Sequence, residues 1–274
     1  MNHTLLLVLS GAILLGITSG VLGCFALLRQ QSLLGDAISH AALPGIVIMF
    51  LCTYSTNPWI LLCGGALAGV CGVLCMNFVC AHTKLKKDAI LGIILSVFFG
   101  LGLVLMTIAQ KIPVASQAVL NKFLFGNIAT LLIDDIRLIA VISFTILGVL
   151  YVLWKECALY TFDPVFAHML SFNVKIIEAV LTVLLILAIV IGLQTVGVVL
   201  MSTMLIAPAA ASRQWTYKFS HMMILAGFFG GFSAFLGVCA SSMVEHLPTG
   251  PMIVVIASLI VFFSLICAPK RSFV

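Results

Sequence analysis

Apolar residues run along this chain in blocks of about twenty, the length a helix needs to cross a roughly 30 Å hydrocarbon layer. Nine such blocks stand out: 4–28, 33–52, 60–80, 89–109, 138–154, 176–193, 196–211, 222–243 and 251–268. They predict about nine membrane helices, or eight if one of the first two, which a single arginine separates, is tilted or broken. The first block has no basic segment before it and no small-residue cleavage site, and it is longer than a signal-peptide core. It therefore reads as a membrane helix.

Composition points the same way. Of 274 residues, 63% are hydrophobic and 8% charged, against about 25% charged in a soluble domain. The expected fold is an all-α integral membrane bundle, with residues 1–274 forming one transmembrane domain. The nine cysteines are odd in number and scattered through apolar runs, which suits small apolar fillers better than a disulfide framework. A net charge of +5 is spread too thinly for a nucleic-acid face. Cytoplasmic loops favour Lys and Arg. With the N-terminus outside and the C-terminus in the cytoplasm, the inner loops hold Arg29, Lys84, Lys86, Lys87, Lys155, Lys175, Arg213, Lys218, Lys270 and Arg271. Only Lys111, Lys122 and Arg137 stay outside. The outer segment 111–137 contains VLNKFLFGNIATLLI, apolar enough to lie on the membrane surface.

Against this background two titratable side chains are out of place. Asp36 and Glu178 are the acids inside the blocks, and His40 is the histidine. Glu178 lies one turn from Lys175, which predicts a solvated i, i+3 pair. Asp36 and His40 stand four apart in GDAISHAALPG, on one helix face, where a carboxylate and an imidazole can converge on one ion. An aspartate in a bilayer costs roughly 2.5 to 3.5 kcal/mol on insertion scales and marks an ion path by default. The LPG that follows predicts a helix break at Pro44 and Gly45, as at the sites of many transporters. The plainer alternative is an internal hydrogen-bonded lock with Ser39 joining. A proton relay in a secondary transporter is another. Softer spacings, Cys71 with Cys75 and Met201 with Met204, suit Cu(I) but are more often packing residues.

Two absences narrow the chemistry. No GxxxxGK[ST] loop occurs, so the chain does not hydrolyse ATP by P-loop chemistry, and no HExxH marks a metalloprotease. The long loop after the fifth block contains DPVFAHML, an N-cap residue followed by proline at the first helical position. A short helix is expected there.

The stretch SLLGDAISHAALPGIVIMF resembles the signature of the membrane permease subunits of manganese/zinc/iron-type ABC importers, a group of the type II importer class. LGIILSVFFGLGLVL, FLFGNI, TFDPVFAHMLSF, VGVVLMSTMLIAPAAASR and LPTGPMIVV resemble further segments of that family in the same order, so the likeness covers almost the whole chain. It implies that Asp36 and His40 line the translocation path and ligate the transported Mn²⁺, Zn²⁺ or Fe²⁺. It assigns ATPase coupling to a segment at about 160–174, with Phe162, Asp163, Pro164 and Ala167 matching the pattern. A glycine common late in that segment has no counterpart, since Ser171 and Phe172 stand there. The resemblance further implies a permease that is not itself an enzyme and has no tightly bound cofactor. Its partners would be a cytoplasmic ATPase, an extracytoplasmic metal-binding protein and a second permease, the same or different, in a bacterial cytoplasmic (inner) membrane. A siderophore- or vitamin-type permease is the nearest competitor, but so large a substrate does not call for a buried Asp and His pair.

Overall fold

The computed structural model describes residues 3–55, 57–111, 126, 133–170, 172–243 and 248–268. Among them the secondary structure is helical, without a strand. The helices are α1 (His3–Leu28), α2 (Ser32–Thr53), α3 (Pro58–His82), α4 (Lys87–Ala109), α5 (Ile133–Val152), α6 (Trp154–Phe162), α7 (Pro164–Met169), α8 (Val174–Thr195), α9 (Val198–Trp215), α10 (Phe219–Met243) and α11 (Thr249–Cys267). The surface segment expected within 111–137 falls largely outside the described residues.

Eight of these helices are long and apolar enough to cross a membrane, and α9 is not one of them. The block that falls short is therefore not one of the first two. Both N-terminal blocks qualify, as α1 and α2. The shortfall is in block 196–211: α9 has 18 residues, about 27 Å, and includes Pro208, Ser212, Arg213 and Gln214. Its Val198, Met201, Met204, Leu205 and Ala209 are fully buried. A helix wrapped in protein needs no lipid-facing coat, so its composition is free to be more polar.

Turn chemistry sets the connections. At the end of α1, Gln31 N donates to Ala26 O at 2.9 Å and Gln30 N to Leu27 O at 3.1 Å, the paired bonds of a Schellman cap. Gln30 takes the left-handed conformation that closes it (φ 55). Three residues separate it from α2. Asn57 caps α3 by accepting from Trp59 N at 3.1 Å, with Pro58 at the first position. Gly197 (φ 92) separates α8 from α9. Gly126 (φ 67) leans on that turn so closely that a Cβ would strike the backbone of Thr195 to Gly197.

Packing divides the chain into two compact units. One holds α1, α5, α6, α7, α10 and α11, with the first part of α8 and most of α9. Its main contact is α1 against α10. Gly16 and Gly230 meet backbone to backbone, Gly20 abuts Ala226, and Gly23 abuts Leu205 of α9. In lipid no hydrophobic effect drives helices together, so small residues that let backbones approach supply the attraction through dispersion.

The other unit holds α2, α3 and α4 with the adjoining ends of α8 and α9. There α2 is packed on both α3 and α4. Gly45 meets Gly64 and Ala68, and Gly72 meets Ala41. On the far side α3 presents Leu67, Leu74 and Phe78 outward, all exposed, as a lipid-facing surface requires.

Candidate functional site

Asp36 and His40 lie one turn apart on α2, as their spacing predicts, with Nε2 of His40 3.6 Å from Oδ1 of Asp36. The His40 side chain is 12% exposed and that of Asp36 32%. At 3.6 Å the two form no hydrogen bond in the geometric sense, so each keeps lone pairs for another partner. Nδ1 of His40 is buried and unpartnered. The ring is held edge-on by Phe99 of α4, with centroids 4.7 Å apart. Ser39 does not join the pair; its hydroxyl donates to Gly35 O at 2.8 Å, the back-bond a buried serine makes to its own helix. Donors 3.6 Å apart can both sit about 2.1 Å from one transition-metal ion, with an angle of roughly 120° between them.

The expected break at Pro44 and Gly45 is absent. α2 runs unbroken from Ser32 to Thr53 with Pro44 in its interior. Proline removes the N–H that would meet the carbonyl of His40, and a membrane helix tolerates that loss where neighbouring helices pack around it. Gly45 serves close approach instead, since any Cβ there would strike Gly64 of α3.

Cys71 and Cys75 are exposed on α3, while Met201 is fully buried and packs on Gly192. Among the described residues no three His, Cys, Asp or Glu side chains cluster as a metal site. Among those residues the pair on α2 stands without a third such ligand.

The segment before α8 forms the short helix its sequence predicts. Asp163 caps α7, its carboxylate accepting from Phe166 N at 2.8 Å, and Pro164 occupies the first position. Phe172 N closes back on Ala167 O at 3.2 Å. Ala167 is fully buried, whereas Phe162, Val165, Phe166 and Met169 are exposed. A six-residue helix is thus pinned by one small residue and offers an apolar crown.

The model of the ABC 3 transport family matches residues 1–268. The chain belongs to the ABC 3 transport family. It is 47% identical over 264 residues to the manganese transport system membrane protein MntC of Bacillus subtilis, covering 96% of this chain and 61% of that protein. The zinc transport system membrane protein TroC of Treponema pallidum is 45% identical over 271 residues, with 98% and 91% covered. The solved structure of PsaBC from Streptococcus pneumoniae in complex with Fab matches with TM-score 0.88 and 31% identity, covering 98% of this chain and 94% of that one.

Around α6 this ABC 3 chain carries a cluster that sequence spacing does not reveal. Nη2 of Arg29 donates to the Tyr160 hydroxyl at 3.0 Å and to Oε1 of Glu178 at 3.2 Å. Its guanidinium also lies 4.8 Å over the Tyr160 ring. Glu178 therefore pairs with Arg29 rather than with Lys175. The guanidinium offers several donors in a fixed fork, and its side chain is only 9% exposed. Burial raises the Tyr160 hydroxyl above the usual phenol range, an effect that Arg29 opposes and Glu178 reinforces. Phe219 completes the joint: it stacks on Trp154 at 5.2 Å and meets Phe25 and Phe162 edge-on. The end of α1 and the helix leading into α7 are thereby fixed together. Arg29→Ala is expected to lower stability by about 2 kcal/mol, the scale of hydrogen bonds to a charged group. A lower thermal midpoint in detergent, only partly restored by Arg29→Lys, checks this, because lysine lacks the planar fork.

Proposed function

We propose that this chain is the transmembrane permease subunit of an ATP-binding-cassette importer that moves a divalent transition metal ion, Mn²⁺, Zn²⁺ or Fe²⁺, into the cytoplasm. The observation that carries the reading is the Asp36 and His40 pair on α2, with lone pairs unspent, in a chain whose family and relatives are transport proteins. Asp36 supplies charge to a partly dehydrated ion and His40 a nitrogen ligand.

Two ligands do not complete a coordination shell, since zinc takes four and manganese prefers six. A second permease, identical or related, related by a two-fold axis, supplies a matching pair. An extracytoplasmic metal-binding protein delivers the ion at the outer mouth. A separate cytoplasmic ATPase docks on the apolar crown of α7, formed by Val165, Phe166 and Met169, with Phe162 beside it. Closure of the ATPase pair moves these helices and opens the path inward.

The chain sits in a bacterial cytoplasmic membrane with its N-terminus outside. α9, enclosed by protein, brings the chain back so that Arg213 and Lys218 join Arg29, Lys155 and Lys175 at the cytoplasmic face, as the positive-inside rule favours. Which metal is preferred follows from the shell the two permeases complete together.

The decisive experiment reconstitutes the permease with its ATPase, partner permease and binding protein in vesicles and follows labelled Mn²⁺ and Zn²⁺. ATP-dependent accumulation that survives collapse of the proton gradient supports the importer. Accumulation that needs the gradient and no ATPase would make the pair a proton relay. Protons compete with metal for imidazole and carboxylate, so uptake is expected to fall as the pH drops from about 7.5 to about 5. Initial rates measured with binding-protein loading held constant check this, and a flat profile counts against these ligands.

A further inference from the structure

Two grooves on the unit built around α1 and α10 share residues and run into one another. The first is an apolar slot of about 400 Å³ along the seam of α1 and α10. Gly227 and Gly231 form its floor, and Phe228, Phe232 and Phe235 its wall. Phe228 and Phe232 are stacked, with centroids 5.8 Å apart. The second groove, about 900 Å³, continues from Val21, Met223 and Ile224 to the junction of α5 and α6. Its far end changes character, with Tyr151, Trp154, Lys155, Glu156 and Ser220 lining it.

The polar end is built to be met. Oε2 of Glu156 is buried with no hydrogen-bond partner, and an unsatisfied buried carboxylate oxygen is costly. The neighbouring Lys155 is exposed and forms no ion pair with a described carboxylate. Tyr151 and Trp154 are the ring types enriched at the level of lipid headgroups. From Ile224 to Phe235 the slot follows eleven helical steps, about 16 Å, close to the roughly 15 Å of one leaflet.

We propose that the joined groove is a specific phosphatidylethanolamine site. The phosphate sits on Lys155, the primary ammonium pairs with the Glu156 carboxylate that lines the groove, and one acyl chain lies over Gly227 and Gly231. The adjacent opposite charges match a zwitterion better than an anionic lipid. A carboxylate accepts a hydrogen bond from an N–H donor, which the quaternary ammonium of phosphatidylcholine lacks. Because α6 leads directly into α7, an occupied headgroup site also braces the helix that precedes the cytoplasmic crown.

The test uses the full chain in its complex, released for native mass spectrometry from nanodiscs of equimolar phosphatidylethanolamine, phosphatidylcholine and phosphatidylglycerol. Retention of phosphatidylethanolamine over both others is expected. Glu156→Gln, which keeps the shape, should reduce that preference about tenfold, the equivalent of one charged hydrogen bond. Lys155→Ala should lower retention of phosphatidylethanolamine and phosphatidylglycerol alike. Equal retention of the three lipids, a preference for phosphatidylglycerol, or an unchanged preference in Glu156→Gln overturns the proposal. In wild type carrying a photo-crosslinking analogue in place of Phe228, a lipid adduct supports it, and a crosslink to a second protein chain overturns it. None of these readouts depends on metal transport.

Discussion

Vesicles carrying Asp36→Asn or His40→Ala complexes are expected to take up labelled ion at least about a hundredfold more slowly than wild type, since even outer-shell losses at metal sites cost ten- to a hundredfold. Asparagine keeps the size of Asp36 but not the charge that offsets dehydration of a divalent ion. Alanine removes the proposed nitrogen ligand and leaves Phe99 facing a gap. Assembly and basal ATP hydrolysis should persist, because the two side chains make no mutual hydrogen bond and the helix around them is secured by Gly45 against Gly64. Asp36→Glu should fall between, its carboxylate displaced by one methylene. Full uptake by both variants in intact complexes would reduce the pair to a structural feature.

The second large effect is expected at the other end of the mechanism. Phe166→Asp should leave the chain folded, since the side chain is 48% exposed and surface substitutions shift stability by about 0.5 kcal/mol or less. The Asp163 cap and buried Ala167 that hold α7 are untouched. An aromatic anchor at an interface centre is worth about 2 kcal/mol or more, so association with the ATPase should weaken at least about thirtyfold. Co-purification of the ATPase and the ratio of ions moved to ATP hydrolysed read this out. Undiminished association would place the docking surface elsewhere on the cytoplasmic face.

Much of the architecture was legible in the sequence because a bilayer makes one blunt demand, some twenty apolar residues per crossing. That demand located α1 to α5, α8, α10 and α11 within a few residues. It also marked α9, whose more polar composition follows from being enclosed by its neighbours, where packing rather than lipid sets the demand. The Asp36 and His40 pair was readable because side chains four apart on a helix are neighbours whatever the fold. Glu178 was misassigned for the complementary reason: its partner Arg29 is 149 positions away, and spacing along one helix cannot reveal it. The Phe219 joint, assembled from four distant aromatics, was hidden in the same way. At Pro44 the rule that proline ends helices gave way to the tolerance that packed neighbours provide. Asp163 and Pro164 succeeded because a helix cap is a local event, complete within four residues.

The glycine crossings have a consequence for how this molecule fails. In a water-soluble protein the largest side chains fill the centre, and damage comes mostly from truncation. Here the helix crossings add a second kind of weak point. Gly16, Gly230, Gly45 and Gly64 occupy the tightest places, while Phe78, Phe262 and Phe263 face outward. Shortening an outer phenylalanine removes a contact that a lipid tail can replace. Adding one methyl at Gly230 forces two backbones apart, and no solvent is on hand to fill the wedge. At these crossings mutation therefore does its harm by enlargement, at residues that have no side chain to lose.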